Sequence, residues 1–334
     1  VEVIVRRAPL PFPITEPSQV GEARRQILAT ALAVGLDADQ QGRLALVVNE
    51  LGTNLVKHGS GGELIVRVPE GPPAVELLAL DRGAGMGSVA ECFRDGYSTA
   101  GSQGTGLGAI GRLAARVDVY STQPGGTAIV ALVGADAPRG RLETGAVSVP
   151  RAGEEVCGDA WAVAAAQECP ALMVVDGLGH GLGAADAARL AVRAFEASPE
   201  LPPSALVAAI HDALRGSRGA AVSVARIDWA RGTVTYAGLG NVAGVVLSGG
   251  DARHLVSGNG TAGHHAGRIS EFSYPWAEDA VLVMHSDGLG SRWQMDRYPG
   301  LPRRHPTLIA GVLYRDWTRG RDDVTVVAAR LRRA

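Results

Sequence analysis

Apolar positions follow a helical spacing early in the chain and a strand-like one later. Val20, Ala23, Ile27, Ala31 and Val34 recur three and four apart, and Leu44, Val47, Val48, Leu51 and Leu55 repeat the pattern. These stretches predict helices over 18–34 and 37–57, with Ser18 as the N-cap of the first and Gly35 as its stop. A strand is expected at 2–5, and Pro9, Pro11, Pro13 and Pro17 read as turns after it. An apolar strand at 75–80, a helix at 109–116 and strands at 117–120 and 127–133 around a Gln123-Pro-Gly-Gly turn complete this part. The polar, turn-rich stretch Ala135-Asp-Ala-Pro-Arg-Gly-Arg141 marks a boundary. We therefore expect a first domain at 1–135, a linker at 136–141 and a second domain at 142–334. Strands are expected in the second domain at 145–150, 160–164, 171–175, 220–228, 233–237, 242–247, 281–286 and 324–331. Helices are expected at 184–197 and 204–214. The stretch 291–307, rich in Arg and Pro, is assigned to a surface flap or a substrate-facing segment.

Several of the later strands begin or end on aspartate. Ala171-Leu-Met-Val-Val runs into Asp176-Gly177, and Val281-Leu-Val-Met-His-Ser into Asp287-Gly288. Asp159 opens Ala160-Trp-Ala-Val, and Asp322-Asp323 opens the last strand. Any single Asp-Gly after a strand is explained by a turn. Four strand ends carrying aspartate point instead to one shared carboxylate site. Converging carboxylates repel unless cations hold them, and hard divalent ions take oxygen ligands of this kind. Gly177, without a Cβ, lets its carbonyl approach such a cation.

The segments Cys157-Gly-Asp159-Ala, Val175-Asp176-Gly177-Leu-Gly-His-Gly181, Gly240-Asn241, Ser286-Asp287-Gly288 and Asp322-Asp-Val-Thr325 resemble the SpoIIE/PP2C-type serine/threonine phosphatases, in particular their short RsbX-like members. The resemblance covers about 142–334 and implies a PP2C-like αββα sandwich with two Mn2+ or Mg2+ ions. It implies Asp159, Asp176, Asp287, Asp322 and the backbone carbonyl of Gly177 as ligands, Asp159 and Asp176 being the catalytic carboxylates. Asp323 ranks below Asp322. A metal-activated water would attack phosphorus directly, without a phospho-enzyme. Gly240-Asn241 is placed near the metals by the resemblance; by itself it is a turn.

The first domain carries a second ordered set. Glu50 and Asn54 lie four apart and share a helix face. The strand at 75–80 ends in Asp81-Arg-Gly83-Ala-Gly85-Met-Gly87, and Gly104-Thr105-Gly106-Leu107-Gly108 precedes the next helix. Glycines ahead of a helix N-terminus present free N–H groups to phosphate. A glycine cluster alone is a structural turn. The whole set resembles the GHKL (Bergerat) ATPase superfamily, an α/β sandwich, and within it the RsbT-like serine kinases, over about 14–133. The resemblance implies that Asn54 binds Mg2+, Asp81 the adenine amino group, and the loops of Gly83, Gly85, Gly87, Gly104, Thr105, Gly106, Leu107 and Gly108 the rest of ATP. Glu50 is the implied general base. An abbreviated lid is expected at 89–101, where Tyr97, Ser98 and Thr99 are phosphate contacts or solvated loop residues.

Composition adds boundaries. The formal net charge of the 334 residues is −2, which gives no electrostatic case for nucleic acid or a membrane surface. Cys92, Cys157 and Cys169 form neither a disulfide nor a zinc pattern, and a cytoplasmic setting is expected. His264-His265 reads as a loop. The fold expected is α/β (α+β) in two domains. The function expected is a bifunctional switch protein: a metal-dependent phosphoserine/phosphothreonine phosphatase with a Mg2+-ATP-dependent serine kinase. The resemblance names a STAS-domain regulatory protein as substrate. In the alternatives the first domain only senses ATP or clamps a partner.

Overall fold

A computed structural model describes residues 2–5, 10–69, 71–92, 106–136, 141–166 and 168–332. Two compact units emerge, one formed by Pro9–Arg139 and the other by Val1–Ala8 with Gly140–Ala334. The first strand, β1 (Glu2–Val5), belongs to the second unit.

The 9–139 unit runs β2 (Leu10–Ile14), α1 (Pro17–Val34), α2 (Ala38–His58), β3 (Gly62–Arg67), β4 (Ala74–Asp81), α3 (Val89–Cys92), α4 (Gly106–Leu113), β5 (Arg116–Thr122) and β6 (Gly126–Gly134). Its antiparallel sheet has the order β2-β3-β4-β6-β5. Helices α1, α2 and α4 supply one side of a core that includes Ile27, Leu44, Leu51, Leu55 and Ile110, against Leu64, Leu77 and Ile129 of the sheet. The stretch read as proline turns is the strand β2. Pro11 and Pro13 are accommodated because β2 is an edge, where a missing N–H breaks no ladder on the outer side. Helix α1 starts one residue earlier than expected: Glu16, not Ser18, is its N-cap and Pro17 opens it. The Gln19 side chain accepts from the Thr15 and Glu16 N–H groups at 2.6 and 3.1 Å. Asp37 caps α2, its Oδ1 accepting from Gln40 N at 2.8 Å.

The second unit runs β7 (Leu142–Val149), β8 (Asp159–Ala165), β9 (Ala171–Gly177), α5 (Leu182–Ala197), α6 (Pro203–Ala213), β10 (Ala220–Asp228), β11 (Thr233–Leu239), β12 (Ala243–Ser248), β13 (Asp251–Leu255), β14 (Gly260–Thr261), β15 (His265–Ala266), β16 (Glu271–Pro275), β17 (Val281–His285), α7 (Pro306–Trp317) and β18 (Val324–Leu331). Six strands in the order β1-β8-β9-β10-β11-β16 form one sheet and five in the order β13-β12-β17-β18-β7 another. Trp161, Val174 and Tyr236 of the first sheet meet Val246, Met284 and Val327 of the second in the central core. Helices α5 and α6 cover the six-stranded sheet, burying Phe195, Leu206 and Ile210 against Met173 and Val222. Helix α7 packs on β7 and β18. The layers are therefore αββα, as the resemblance implies.

Further features depart from the sequence reading. Strand β1 pairs with β8, from Glu2 opposite Ala165 to Val5 opposite Ala162, so the first residues do not join a 1–135 domain. The stretch 291–307 is largely exposed but is not a loose flap, because Trp293, Tyr298, Leu301 and His305 anchor it by burial. Helix α7 was not expected. Its residues from Pro306 to Arg315 are all buried, so it shows no amphipathic period to read. Among the described residues, no helix is long and apolar enough to cross a membrane.

Candidate functional site

The antiparallel register of β8 and β9 sets Asp159 directly opposite Asp176. On the other side of β9, Ala221 and Ala220 face Asp176 and Gly177. These small neighbours leave the end of the sheet open. The five-stranded sheet brings in the other acids: β17 ends just before Ser286-Asp287, and Asp322-Asp323 precede β18. A bond from Ser286 N to Thr325 O at 3.0 Å ties these two ends together. Gly177 is confined from behind. A Cβ there would lie 2.3 Å from the Ala184 carbonyl oxygen, so no other residue fits without moving α5.

Side chains from both sheets fix the carboxylates. The Ser286 hydroxyl donates to Asp159 Oδ2 at 2.6 Å and accepts from Thr325 N at 2.9 Å. The Thr325 hydroxyl lies 2.7 Å from that of Ser148. Asn241 Nδ2 donates to Asp287 Oδ2 at 2.6 Å. Arg151 N donates to Asp323 Oδ1 at 2.8 Å. The opposite oxygens, Asp159 Oδ1 and Asp323 Oδ2, are buried with no hydrogen-bond partner.

Electrostatics follow from this crowding. Burial, reinforced by Asp176, holds the Asp159 pKa well above the ordinary carboxylate value, against the opposing Ser286 bond. Burial, then Asp287 and Asp322, push Asp176 up to about 7. Burial and Asp322 raise Asp287, and burial is the first cause for Asp323 too. Asp322 is exposed and acts on Asp176 and Asp287; Asp323 is buried and acts on Asp159 and, more weakly, on Asp176. Among the described residues, no group of three or more histidine, cysteine or acidic side chains closes into a preformed ligand shell. The donor set nevertheless fits hard divalent cations: it is all oxygen, mutually repelling, and includes two buried oxygens with nothing to bond.

The sequence reading did not single out Ser286, Thr325 or Ser148 as supports. A hydroxyl at a strand end beside an Asp-Gly or Asp-Asp is their only local signal. Asp323, ranked below Asp322, is the more buried of the pair.

In the 9–139 unit, Glu50 and Asn54 are half-buried, one turn apart on α2. The start of α4 abuts both: a Cβ on Gly106 would lie 3.3 Å from Glu50 Oε2 and 3.7 Å from Asn54 Oδ1. Asp81 ends β4, and its Oδ1 accepts from Gly83 N at 2.8 Å and Thr127 N at 3.1 Å. Gly83 lies against the His58 carbonyl, Gly85 against that of Thr122, and Gly87 beside the Gln123 side chain. Leu107 and Gly108 are buried in α4. Gly104 and Thr105, like Tyr97, Ser98 and Thr99, lie outside the described residues. Thr127, whose N–H helps hold Asp81, was not anticipated. The arrangement offers a carboxylate, a carboxamide and the first turn of a helix to one ligand.

Residues 14–132 match the family model of the histidine kinase-like ATPase domain, and residues 167–332 that of Stage II sporulation protein E, SpoIIE. Over 104 residues, 30% of this chain and 78% of the relative, the chain is 27% identical to the serine/threonine-protein kinase RsbT of Bacillus subtilis (strain 168). A solved structure of the bacterial stressosome, described as a modular system adapted to control secondary messenger signalling, is similar with a TM-score of 0.54 and 29% identity, over 57% of this chain and 100% of that one. RsbX in complex with magnesium is similar in fold, with a TM-score of 0.50 and 20% identity over 59% of this chain and 98% of its own.

Proposed function

From a chain that joins a histidine kinase-like ATPase domain to a SpoIIE/PP2C-type serine/threonine phosphatase domain, we propose a regulatory protein with two opposed activities on one kind of substrate. The second unit removes phosphate from a phosphoserine or phosphothreonine of a STAS-domain regulatory protein, in the cytoplasm. The first binds Mg2+-ATP through Asn54, Asp81 and the glycine loops of Gly83, Gly85, Gly87 and Gly104–Gly108. Glu50 takes the proton of the serine hydroxyl that receives the phosphoryl group.

The observation that carries the phosphatase reading is the meeting of Asp159, Asp176, Asp287 and the Asp322-Asp323 pair at one end of the sandwich, with two carboxylate oxygens buried and unpaired. Asp159, Asp176, Asp287, Asp322 and the Gly177 carbonyl would hold two Mn2+ or Mg2+ ions. Such ions supply charge neutralisation for the phosphoryl oxygens and a lowered pKa for the attacking water. The rest belongs to the protein. Ser286 engages Asp159 Oδ2 and Asn241 engages Asp287 Oδ2, which leaves the second oxygen of each carboxylate for a cation. No side chain is needed as nucleophile. Cys157 is buried with its pKa raised, chiefly by burial, and so remains a protonated thiol.

The test uses the full chain, a phosphorylated STAS-domain protein and Mn2+. Metal-dependent release of phosphate is expected, lost in Asp176→Asn. Release that persists in that variant would overturn the assignment. Incubating the chain with labelled ATP and the unphosphorylated protein tests the other half. ATP binding without transfer would make the first unit a sensor that gates the phosphatase.

A further inference from the structure

Arg218 is an exposed residue just before β10, the strand that lies next to Asp176 and Gly177. It lies two residues before Ala220, the cross-strand partner of Gly177, and Leu178 N donates to Gly219 O at 3.0 Å. Its backbone is pinned from outside, where His264 Nε2 meets the Arg218 carbonyl at 2.9 Å. From that point the side chain reaches over the loop that follows Asp176-Gly177. Its Nη1 comes within 3.4 Å of the His180 carbonyl. The guanidinium also covers the start of α5. A Cβ on Gly183 would lie 2.5 Å from Nε and 2.7 Å from Cζ, so the guanidinium rests directly on this glycine.

No carboxylate pairs with Arg218 among the described residues. Glu154, which comes up against Gly181 on this loop, is taken by His180, with Nδ1 to Oε1 at 2.5 Å. A guanidinium laid across the first turn of a helix faces the positive end of the helix dipole. No described carboxylate is in contact to hold it there, so apart from the bond to the His180 carbonyl its donors are open to solvent or to an anion. Its planar fork matches two oxygens of a phosphoryl group.

We propose that Arg218 binds the phosphoryl oxygens of the substrate that face away from the carboxylate cluster, and so selects phosphate-monoester dianions for this site. The proposal rests on the phosphatase reading of the second unit. It gives His264 a place as well: by holding the Arg218 carbonyl it fixes the direction from which the guanidinium enters.

Inorganic phosphate is the probe, since it carries the same oxygens without a peptide. Titrated calorimetrically into the Mn2+-loaded full chain, it should bind the wild type. It should bind Arg218→Ala at least about tenfold more weakly, as expected for loss of a charge-assisted pair of hydrogen bonds. Arg218→Lys should recover part of the loss, and Mn2+ affinity should be the same in all three. In turnover, the KM for both p-nitrophenyl phosphate and a phosphopeptide should rise in Arg218→Ala. Phosphate affinity that does not change in Arg218→Ala overturns the proposal and leaves the phosphatase reading standing. A rise in KM for the phosphopeptide alone also overturns it, assigning Arg218 to acidic groups of the peptide. A wild type that takes up no Mn2+ sinks both.

Discussion

The two units hold their chemistry-bearing residues in opposite ways. In the second, carboxylates crowd the end of a sandwich, raise one another's pKa and leave two buried oxygens without partners. In the first, Glu50 and Asn54 are half-buried, Asp81 is held by two backbone N–H groups, and glycine backbone forms the walls. The first arrangement is electrostatically stressed until cations enter it. The second is a relaxed cradle whose ligand brings its own charge. Removing a carboxylate charge should therefore relax the second unit while destroying its activity, whereas removing a polar group from the first should cost ligand binding alone.

The largest expected effect breaks or confirms that contrast. Asp176→Asn removes a charge penalised by burial and by Asp287 and Asp322. Phosphatase turnover should fall by at least about a hundredfold, the scale of losing a key electrostatic group. The metal-free variant should melt higher than the metal-free wild type, and the rise that Mn2+ gives the wild type should vanish. A lower melting temperature in EDTA would mean that the cluster is not stressed. Next in size, Asn54→Ala should weaken Mg2+-ATP at least about tenfold by calorimetry, as for loss of a contact to a charged ligand. Its Mn2+-dependent phosphatase rate should not change.

A smaller effect comes from the supports. Ser286→Ala takes the hydroxyl donor from Asp159 Oδ2 and should cost about 1–3 kcal/mol in urea unfolding with EDTA. It should also weaken Mn2+ binding. The last is a drift with pH. The Asp176 pKa is raised from 3.8 to about 7 in the folded chain, so between those values the folded state binds more protons than the unfolded one. Its contribution is full below the lower value and is lost as pH rises through the upper. Asp159, Asp287 and Asp323 shift in the same direction. Without metal, the melting temperature should fall from pH 4.5 to 7.5. With saturating Mn2+ the fall should shrink or reverse, because the metal is taken up by the deprotonated carboxylates.

Much of this was legible in sequence because it is local. An apolar run that stops on aspartate and glycine announces a strand end, and Asp176 and Asp287 lie at such ends. Helical spacing puts Glu50 and Asn54 on one face, and the two glycine motifs that follow single them out. What could not be read is what register and burial decide. Nothing local says that Asp159 faces Asp176, or that Ser286 reaches Asp159 across 127 positions of chain. The prolines of β2 look like breakers until the strand is known to be an edge. Helix α7, covered on every side, has no polar stripe to give it away. Arg218 looks like any exposed arginine until its guanidinium is seen to rest on Gly183 at the start of α5.

Strand β1 gives the molecule an uncommon wiring. Because it closes on β8 while the 9–139 unit follows it in the chain, the ATPase-like unit is spliced into its neighbour and leashed to it at both ends. A protease cut anywhere in 137–140 would leave a nicked pair of fragments still clasped by a four-residue ladder of backbone bonds. A phosphatase expressed from residue 142 onward would start life with the edge of β8 bare.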